Sequence, residues 1–264
     1  MNHPARDPIE EIRMFSSMGL EFIDLTLEPP CGATWRIDAK AIGKVLKDEG
    51  MGVVGHTAFY LPIASAFESL RCAAVDELKR CLDAFAEIGS KWMNVHPDPR
   101  APFHERAFVI KRNVESLREL IEHGRPVGVG VMLENIPNGF NTAANIGQCL
   151  DPLPELGLHL DIGHCNLHVP DNTNGEMLRA YGPRVRHVHL HDNNGANADL
   201  HLPLGAGHLD VDREVGLLKA SGYDDTITLE VFSEDKTYLT HSMEVLRRAW
   251  AGEKSATRER VISA

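Results

Sequence analysis

Short apolar runs alternate with amphipathic stretches along almost the whole chain. The apolar runs predict strands at residues 20–27, 51–56, 91–96, 128–134, 157–161, 185–191 and 225–231. The amphipathic stretches predict helices at residues 8–18, 38–49, 65–89, 103–123, 142–149, 174–181, 211–221 and 234–250. Strands with continuous apolar sequence are buried on both faces, which is typical of a parallel sheet with crossover helices.

This alternation predicts an α/β fold of the TIM type, a (β/α)8 barrel whose first strand is missing or irregular. A barrel needs eight strands, whereas the pattern supplies seven and opens with a helix. Residues 1–7 either supply a short irregular replacement or leave that position without a strand. A doubly wound open sheet is the alternative, disfavoured because no glycine-rich phosphate loop follows the first strand. Because no linker or repeat interrupts the pattern, we interpret residues 1–264 as a single domain.

Composition narrows the class of protein. The formal net charge of −11 disfavours a nucleic-acid partner, because phosphate contacts need clustered lysine and arginine, although bound cations would offset part of this charge. The five cysteines are odd in number and form no C-x-x-C pair, which indicates reduced thiols in an intracellular protein. No apolar run approaches the roughly 20 residues of a membrane helix, and the N-terminus has no apolar signal core. We therefore expect a cytoplasmic protein with no membrane partner.

Chemically active side chains collect at the ends of the predicted strands, where the active sites of β/α barrels are built. Strand ends in a barrel surround one axis, so the carboxylates there come close together. They repel one another unless they are protonated or bound to cations. Imidazole combined with carboxylate suits Zn²⁺, Mn²⁺, Co²⁺ or Fe²⁺. A divalent metal centre is therefore predicted. The strand-end residues are His56, His96, Glu134, Asp161, His189 and Glu230, and the loops beyond add His164, Asp199 and His201.

The sequence HVHLH at residues 187–191 places three histidines on one face of a strand, because alternate residues share a face. If that face points inward, only one ring is level with the other candidate ligands. We favour His189 for this position. His187 is expected deeper, as a core histidine with a fixed hydrogen bond. His191 is expected at the rim, in contact with the ligands or the substrate.

Seven segments together resemble the superfamily of xylose isomerase-like TIM barrels, which includes sugar isomerases and epimerases and the endonuclease IV-like AP endonuclease family 2. The resemblance runs from about residue 8 to about residue 250. The segments are GHTAFYLPIAS (55–65), NVHPDP (94–99), MLENIP (132–137), LDIGHCN (160–166), HVHLHDN (187–193), DLHLPLGAGHLD (199–210) and LEVF (229–232).

The resemblance implies metal ligands residue by residue. Endonuclease IV-like enzymes hold three zinc ions with nine side chains, and each of the nine has a counterpart of the right type in this chain. The implied sets are His56, His96 and Glu134; then Glu134, Asp161, His189 and Glu230; and finally His164, Asp199 and His201. Sugar isomerases and epimerases of the same superfamily use one ion, held by two glutamates, one aspartate and one histidine. Their implied set is the second one, so one to three ions per chain are expected, with zinc or manganese favoured.

Several segments depart from the nuclease pattern. The nuclease-like Asp-Thr-Cys-His becomes Asp-Ile-Gly-His at 161–164, and His-Leu-Asn-Asp becomes His-Leu-His-Asp at 189–192. The loop after His56 carries Phe59 and Tyr60 where nucleases use residues that wedge into DNA. Aromatic side chains there suit a sugar face as well as a base, although ordinary loop packing explains them equally well.

The leading hypothesis is a divalent-metal-dependent isomerase or epimerase acting on a sugar, sugar phosphate or related polyol. By resemblance, Glu134 and Glu230 are acid/base groups as well as ligands, and His164 lies near the substrate. The metal polarises a carbonyl while protons move on the neighbouring carbons. The partner is then a small carbohydrate, and a homodimer is considered because related barrels often pair. The alternative is a trinuclear phosphodiesterase of the AP endonuclease type, which uses all nine residues. A non-catalytic metal-binding barrel is a second alternative.

Overall fold

The computed structural model describes residues 1–100, 103–137 and 139–253. In those residues seven parallel strands, neighbours in chain order, alternate with eight α-helices, which is the pattern of a TIM-type (β/α) barrel and confirms the predicted fold class. The strands are β1 (Phe22–Leu27), β2 (Gly52–Thr57), β3 (Trp92–Val95), β4 (Gly130–Glu134), β5 (Gly157–Asp161), β6 (Val185–Leu190) and β7 (Ile227–Leu229). The helices are α1 (Pro8–Ser17), α2 (Ala39–Glu49), α3 (Glu68–Ile88), α4 (Arg106–Val127), α5 (Ala143–Leu150), α6 (Asn174–Tyr181), α7 (Val211–Ala220) and α8 (Thr237–Ala251).

Local sequence explains where the first helices begin and end. The Asp7 side chain accepts hydrogen bonds from backbone N–H groups of the first turn of α1, and Pro8 occupies a position where its missing N–H costs nothing. Asp38 caps α2 in the same way. Helix α2 stops at Gly50, whose φ of 68° is a left-handed conformation that glycine adopts without steric penalty.

The chain divides into two compact units, of which the first comprises Met1–Asn135 and Ala144–His159. Its strands β1 to β4 and the first residues of β5 pair in parallel, and α1 to α4 pack successively against one another. Gly55 in β2 lies against the ring of fully buried Phe85, where an added Cβ would come 2.8 Å from a ring carbon. This close approach lets α3 pack tightly on the strand.

The second unit comprises Ile136–Ala143 and Leu160–Ala264. Its strands β6 and β7 pair in parallel, and the N–H of Ile162, just after β5, donates to the carbonyl oxygen of His189 in β6 at 3.0 Å. Helix α7 packs against both α6 and α8. Fully buried aliphatic side chains from strands and helices form the core of this unit, among them Met177, Val188, Leu190, Val215 and Leu218.

The ends of the elements differ from the prediction by a few residues. Strand β7 spans only Ile227–Leu229, so Glu230 lies just beyond it, although the Glu230 N–H still donates to the Leu190 carbonyl oxygen at 3.1 Å. Strands β3 and β6 end one residue before His96 and His191. The apolar pattern overestimates strand length because it follows burial, and buried residues continue beyond the last backbone hydrogen bond of the strand.

The N-terminal segment contacts β1 through Asn2, next to the position for which the sequence predicts either an irregular replacement or no strand. The described residues before α1 contain no strand. Instead the buried amide of Asn2 replaces a neighbouring backbone: its Oδ1 accepts from the Thr26 N–H at 2.6 Å and its Nδ2 donates to the Thr26 carbonyl oxygen at 3.2 Å. One side chain thus satisfies a donor and an acceptor that a ladder would otherwise pair.

We expect the Asn2→Ala variant to unfold with a free energy lower by about 1–3 kcal/mol, because two buried backbone groups of Thr26 lose their partner. Urea denaturation of the variant and the wild type measures this difference. Asn194→Ala is the control, since Asn194 is exposed and surface substitutions usually change stability by less than about 0.5 kcal/mol. Equal midpoints and slopes for all three proteins would show that Asn2 does not stabilise this edge.

Two further expectations concern membranes and disulfides. Among the described helices, none is both long and apolar enough to cross a bilayer. All five cysteines are free thiols, with Cys31 and Cys72 partly exposed and Cys81, Cys149 and Cys165 buried.

Candidate metal centres

In the first unit, three predicted ligands from successive strand ends come together. His56 lies in β2, His96 directly follows β3 and Glu134 ends β4, and all three side chains are buried. The Nε2 of His96 is 3.0 Å from Glu134 Oε2, and the Nε2 of His56 is 4.0 Å from the same oxygen. Facing ring nitrogens and a carboxylate oxygen within 4.8 Å of one another are a donor set that fits a divalent cation.

The Glu134 carboxylate is held from two further sides. The Asn94 amide nitrogen donates to its Oε2 at 2.7 Å, and the Nδ1 of His159 lies 3.2 Å from that oxygen. His159 is fully buried and was not predicted as a site residue. The signal was available, because His159 and Asp161 stand two residues apart on β5 and share a face. These neighbours fix the orientation of Glu134.

His96 contributes the clearest sign of a missing partner in this unit. Its Nε2 faces Glu134, whereas its Nδ1 is buried and makes no hydrogen bond within the described residues. A buried imidazole nitrogen without a partner is costly.

In the second unit, three more predicted ligands meet: Asp161 at the end of β5, His189 in β6 and Glu230 just after β7. The Nδ1 of His189 lies 3.1 Å from Glu230 Oε2 and 3.9 Å from Asp161 Oδ2. Burial raises the pKa of the Glu230 carboxyl, but the positive charge and hydrogen bond of His189 outweigh it, so that the pKa falls below its ordinary value. Two buried carboxylates beside one imidazole fit a divalent cation.

Of the histidines at 187, 189 and 191, the first two lie in β6 and the third directly follows it. His187 is fully buried, with Nδ1 2.7 Å from the Thr226 hydroxyl and Nε2 2.9 Å from the Thr228 hydroxyl, which confirms a core histidine with fixed hydrogen bonds. His191 is also fully buried, and its Nε2 lies 3.4 Å from Asp161 Oδ1 and 3.7 Å from Asp199 Oδ1, in agreement with the expected contact with candidate ligands. Its ring stacks on that of His201, with 4.1 Å between centroids.

His191 belongs to a second cluster of the same unit, with His164, Asp199 and His201. Asp199 Oδ2 lies 3.0 Å from His164 Nε2 and 3.2 Å from His201 Nε2, and Asp199 Oδ1 lies 3.7 Å from His191 Nε2. Burial acts to raise the pKa of Asp199, but hydrogen bonds from His164 and His201 outweigh it and hold the pKa well below its usual range. Burial lowers the pKa of His201, yet Asp199 and Glu230 raise it overall.

The loop that carries Asp199 and His201 is fixed by Asp192. Its buried carboxylate accepts four backbone N–H groups, each at 2.8–2.9 Å, from Asn193, Gly205, Gly207 and Leu209. His201 itself has a φ of 46°, a left-handed conformation that costs a residue with a side chain about 1–3 kcal/mol. Such strain persists only where neighbouring structure maintains it, here through paired hydrogen bonds between Asp192 and Leu202.

Gly163 makes room for His191. A Cβ built at Gly163 would overlap the His191 ring, whereas the Gly163 backbone (φ −65°, ψ −43°) suits any residue. Glycine at 163 and histidine at 191, two of the departures from the nuclease pattern, are therefore in direct contact. The packing of the His191 ring against Gly163 could not be predicted from the sequence because it is a tertiary contact.

We expect Gly163→Ala to lower the free energy of unfolding by about 1–3 kcal/mol, because the added methyl group overpacks against His191. Adding His191→Asn should relieve the overlap, giving a coupling energy of about 0.5–3 kcal/mol in a double-mutant cycle measured by denaturation. Gly216→Ala in α7 is the control, since open space surrounds that position and alanine favours the helix. Strict additivity of the two substitutions would contradict the coupling.

The aromatic residues after β2 are exposed. Phe59 is 70% exposed and packs edge-on against Tyr60. The Tyr60 hydroxyl donates to Glu28 Oε1 at 2.7 Å, and burial together with that carboxylate raises the pKa of Tyr60 to about 12. The Phe59 ring centroid is 6.4 Å from that of His96, so an exposed apolar face lies beside a candidate ligand.

Comparison with known proteins places this chain in a family. Residues 12–249 match the model of the xylose isomerase-like TIM barrel, and the chain belongs to that family. An uncharacterized protein of Methanocaldococcus jannaschii is 29% identical over 220 residues, covering 79% of this chain and 74% of that protein. A probable endonuclease 4 of Mycobacterium leprae is 25% identical over 220 residues, covering 77% of this chain and 82% of that protein.

A solved structure of a D-tagatose 3-epimerase-like protein has the same fold. It superposes with a TM-score of 0.82 at 25% identity, covering 91% of this chain and 92% of that one. The resemblance inferred from the sequence motifs is thereby confirmed, and both branches of the superfamily named there have relatives among these matches.

Proposed function

We propose that this protein is a divalent-metal-dependent isomerase or epimerase acting on a sugar, sugar phosphate or related polyol. The observation that carries the proposal is the buried group of Asp161, His189 and Glu230 at neighbouring strand ends. Membership of the xylose isomerase-like family and similarity to a D-tagatose 3-epimerase-like protein support the same chemistry. The net charge of −11 favours a small carbohydrate over a nucleic acid as partner.

Glu134 is proposed as the fourth ligand of this group. It ends β4, whose parallel partner β5 places His159 in register with Glu134 and continues to Asp161. Two glutamates, one aspartate and one histidine form the set that the family resemblance implies for a single ion. Zinc and manganese suit such mixed nitrogen and oxygen ligands. We further propose that residues 1–264 act as one domain, for which the uninterrupted family match over residues 12–249 is the support.

In the proposed reaction Glu134 and Glu230 exchange protons with a carbon beside the substrate carbonyl. A divalent ion, when bound, supplies the Lewis acidity that makes such a carbon acidic. His189 holds Glu230 through Oε2, which leaves the second carboxylate oxygen of Glu230 to take or return the proton. If one glutamate removes the proton and the other returns one to the opposite face, the carbon inverts. His164, with Nδ1 3.3 Å from Asp161, is proposed to lie beside the substrate.

Phe59 supports the proposed substrate class. Its exposed ring lies near His96, where an aromatic face can stack against the apolar face of a sugar ring. We propose that a bound carbohydrate covers this face.

A panel of ketoses and ketose phosphates in D₂O tests the proposal. We expect deuterium incorporation at C2 or C3 of at least one ketose, followed by NMR, with an epimer or isomer as product. Absence of exchange across the panel with metal-loaded protein would count against an isomerase or epimerase.

The second candidate is a trinuclear phosphodiesterase of the AP endonuclease type. It is favoured by the clusters that a one-ion isomerase does not need, namely His56 with His96 and His164 with Asp199 and His201. The similarity to a probable endonuclease 4 also supports it. Nicking of a duplex with one abasic site, at rates that depend on both clusters, would favour this candidate over the first.

A further inference from the structure

A chain of buried polar contacts crosses the ends of four neighbouring strands in the first unit. Its members are Thr57 at the end of β2, Asn94 in β3, Glu134 at the end of β4 and His159 in β5. All four residues are only 0–1% exposed. Polar groups at such depth destabilise a protein unless they satisfy one another, so the partners of each atom determine how the chain is oriented.

The orientation of the Asn94 amide follows from its contacts with Thr57. The Thr57 N–H donates to Asn94 Oδ1 at 2.8 Å, and the Thr57 hydroxyl donates to the Asn94 carbonyl oxygen at 2.9 Å. Because a backbone N–H can only donate, the amide oxygen faces Thr57 and the amide nitrogen faces Glu134. Asn94 Nδ2 therefore donates to Glu134 Oε2, over 2.7 Å.

Three nitrogen atoms surround the same oxygen of Glu134. Besides Asn94 Nδ2, the Nε2 of His96 lies 3.0 Å and the Nδ1 of His159 lies 3.2 Å from Oε2. One carboxylate oxygen offers about two lone-pair directions, so Oε2 is fully engaged. A cation bound beside His96 would engage the same oxygen. A proton from a substrate carbon reaches Oε2 only if one of these contacts breaks, so proton transfer falls to Oε1.

We infer that Asn94, with support from His159, is a positioning residue that holds Glu134 by Oε2 and thereby makes Oε1 the oxygen that takes or returns the substrate proton. The inference rests on the proposed isomerase or epimerase reaction, in which Glu134 is one of two acid/base groups. The terminal torsion of a glutamate is broad and roughly two-fold, so the backbone alone does not decide which oxygen faces the substrate. The donors from Asn94 and His159 make that choice.

The sheet itself sets the position of Asn94. Strands β2 and β3 pair in parallel at Gly55 and Met93, which brings the residues that follow them, Thr57 and Asn94, into contact. Asn94 and His96 stand two residues apart and share a face of the chain, so both reach Glu134. The carboxylate is thus referred to the backbone of β2 through a single amide. Proton transfer benefits, because a displacement of about 1 Å at a reacting group can cost about 100-fold in rate.

Asn94→Asp tests the inference, because aspartate keeps the shape of the side chain and removes the donor. At saturating metal we expect kcat for deuterium exchange into a ketose to fall by about 100-fold. KM should change by less than about threefold, because Asn94 acts through Glu134 and not on the substrate. If Asn94→Asp folds poorly, His159→Asn and His159→Leu give a second test. Asparagine keeps a donor near the position of Nδ1, so its kcat should exceed that of the leucine variant by about 10-fold. Equal kcat values in these two variants would overturn the inference.

Asn113→Asp is the matched control, the same substitution at another fully buried asparagine of this unit. The Asn113 amide pairs with backbone groups of Asp98 and Val109, so this variant should lose stability but keep the kcat of the folded protein. Rates are compared at wild-type metal content, because Glu134 is also a proposed ligand. A wild-type kcat in folded Asn94→Asp, or an equal loss of kcat in Asn113→Asp, would overturn this inference alone. Absence of exchange by the wild-type protein on every ketose would overturn the proposed reaction, and this inference with it.

Discussion

Replacing Glu230 by glutamine should lower the rate of proton exchange at the substrate carbon by about 10²–10⁴-fold, the usual contribution of a positioned acid or base. Glutamine keeps the size of the side chain and one oxygen for His189, but it cannot accept the proton. Glu134→Gln should have an effect of similar size, because inversion needs a group on each face of the carbon. Exchange of deuterium from D₂O into a ketose, followed by NMR at saturating metal, measures both rates.

The matched control for these variants is Glu244→Gln, the same substitution at an exposed position of α8. It should leave exchange unchanged. Because Glu134 and Glu230 are also proposed ligands, metal content must be measured in each variant. Exchange rates are then compared only between proteins that carry the wild-type amount of metal. A fully loaded Glu230→Gln variant that exchanges protons at the wild-type rate would exclude Glu230 as an acid/base group.

The fold could be predicted from the sequence because strands that are buried on both faces have a continuous apolar sequence. Strands such as Gly130–Glu134 are apolar throughout, and amphipathic helices separate them, so the order and number of elements follow. The ends of the strands could not be predicted to the residue. At Glu230, for example, burial and one backbone hydrogen bond continue beyond the last residue of β7.

The nine candidate ligands could be found because strand ends in such folds face one side. The full burial of His191 and the contact of His159 with Glu134 could not be predicted, for a physical reason. Whether a strand histidine is a core residue, as His187 is, or faces a carboxylate depends on neighbours distant in sequence. For His191 the deciding neighbour is Gly163, where one missing methyl group admits the ring. Similarly, Asn2 reads as an ordinary polar residue until its amide is seen paired with Thr26.

Removing divalent ions with a chelator should abolish turnover and lower thermal stability together. Buried carboxylates such as Asp161 and Glu230 then face each other without the cation that offsets their charge. An ion present at 100 times its dissociation constant stabilises the folded state by about 2.7 kcal/mol per site. For a chain of this size that corresponds to a fall in Tm of roughly 5–10 °C. Scanning calorimetry with elemental analysis of the same samples measures the effect.

The identity of the ions that restore turnover to the metal-free protein tests the mechanism more sharply than the change in stability does. Because histidine accompanies the carboxylates in every candidate set, Mn²⁺, Co²⁺ or Zn²⁺ should restore turnover, whereas Ca²⁺, which prefers oxygen ligands alone, should not. Restoration should be absent in His189→Ala, because this variant lacks the only imidazole proposed for the catalytic ion. Full activity in protein without detectable metal would refute the metal-dependent mechanism. If added metal restores the Tm of His189→Ala but not its activity, the restored stability comes from metal bound at the other clusters.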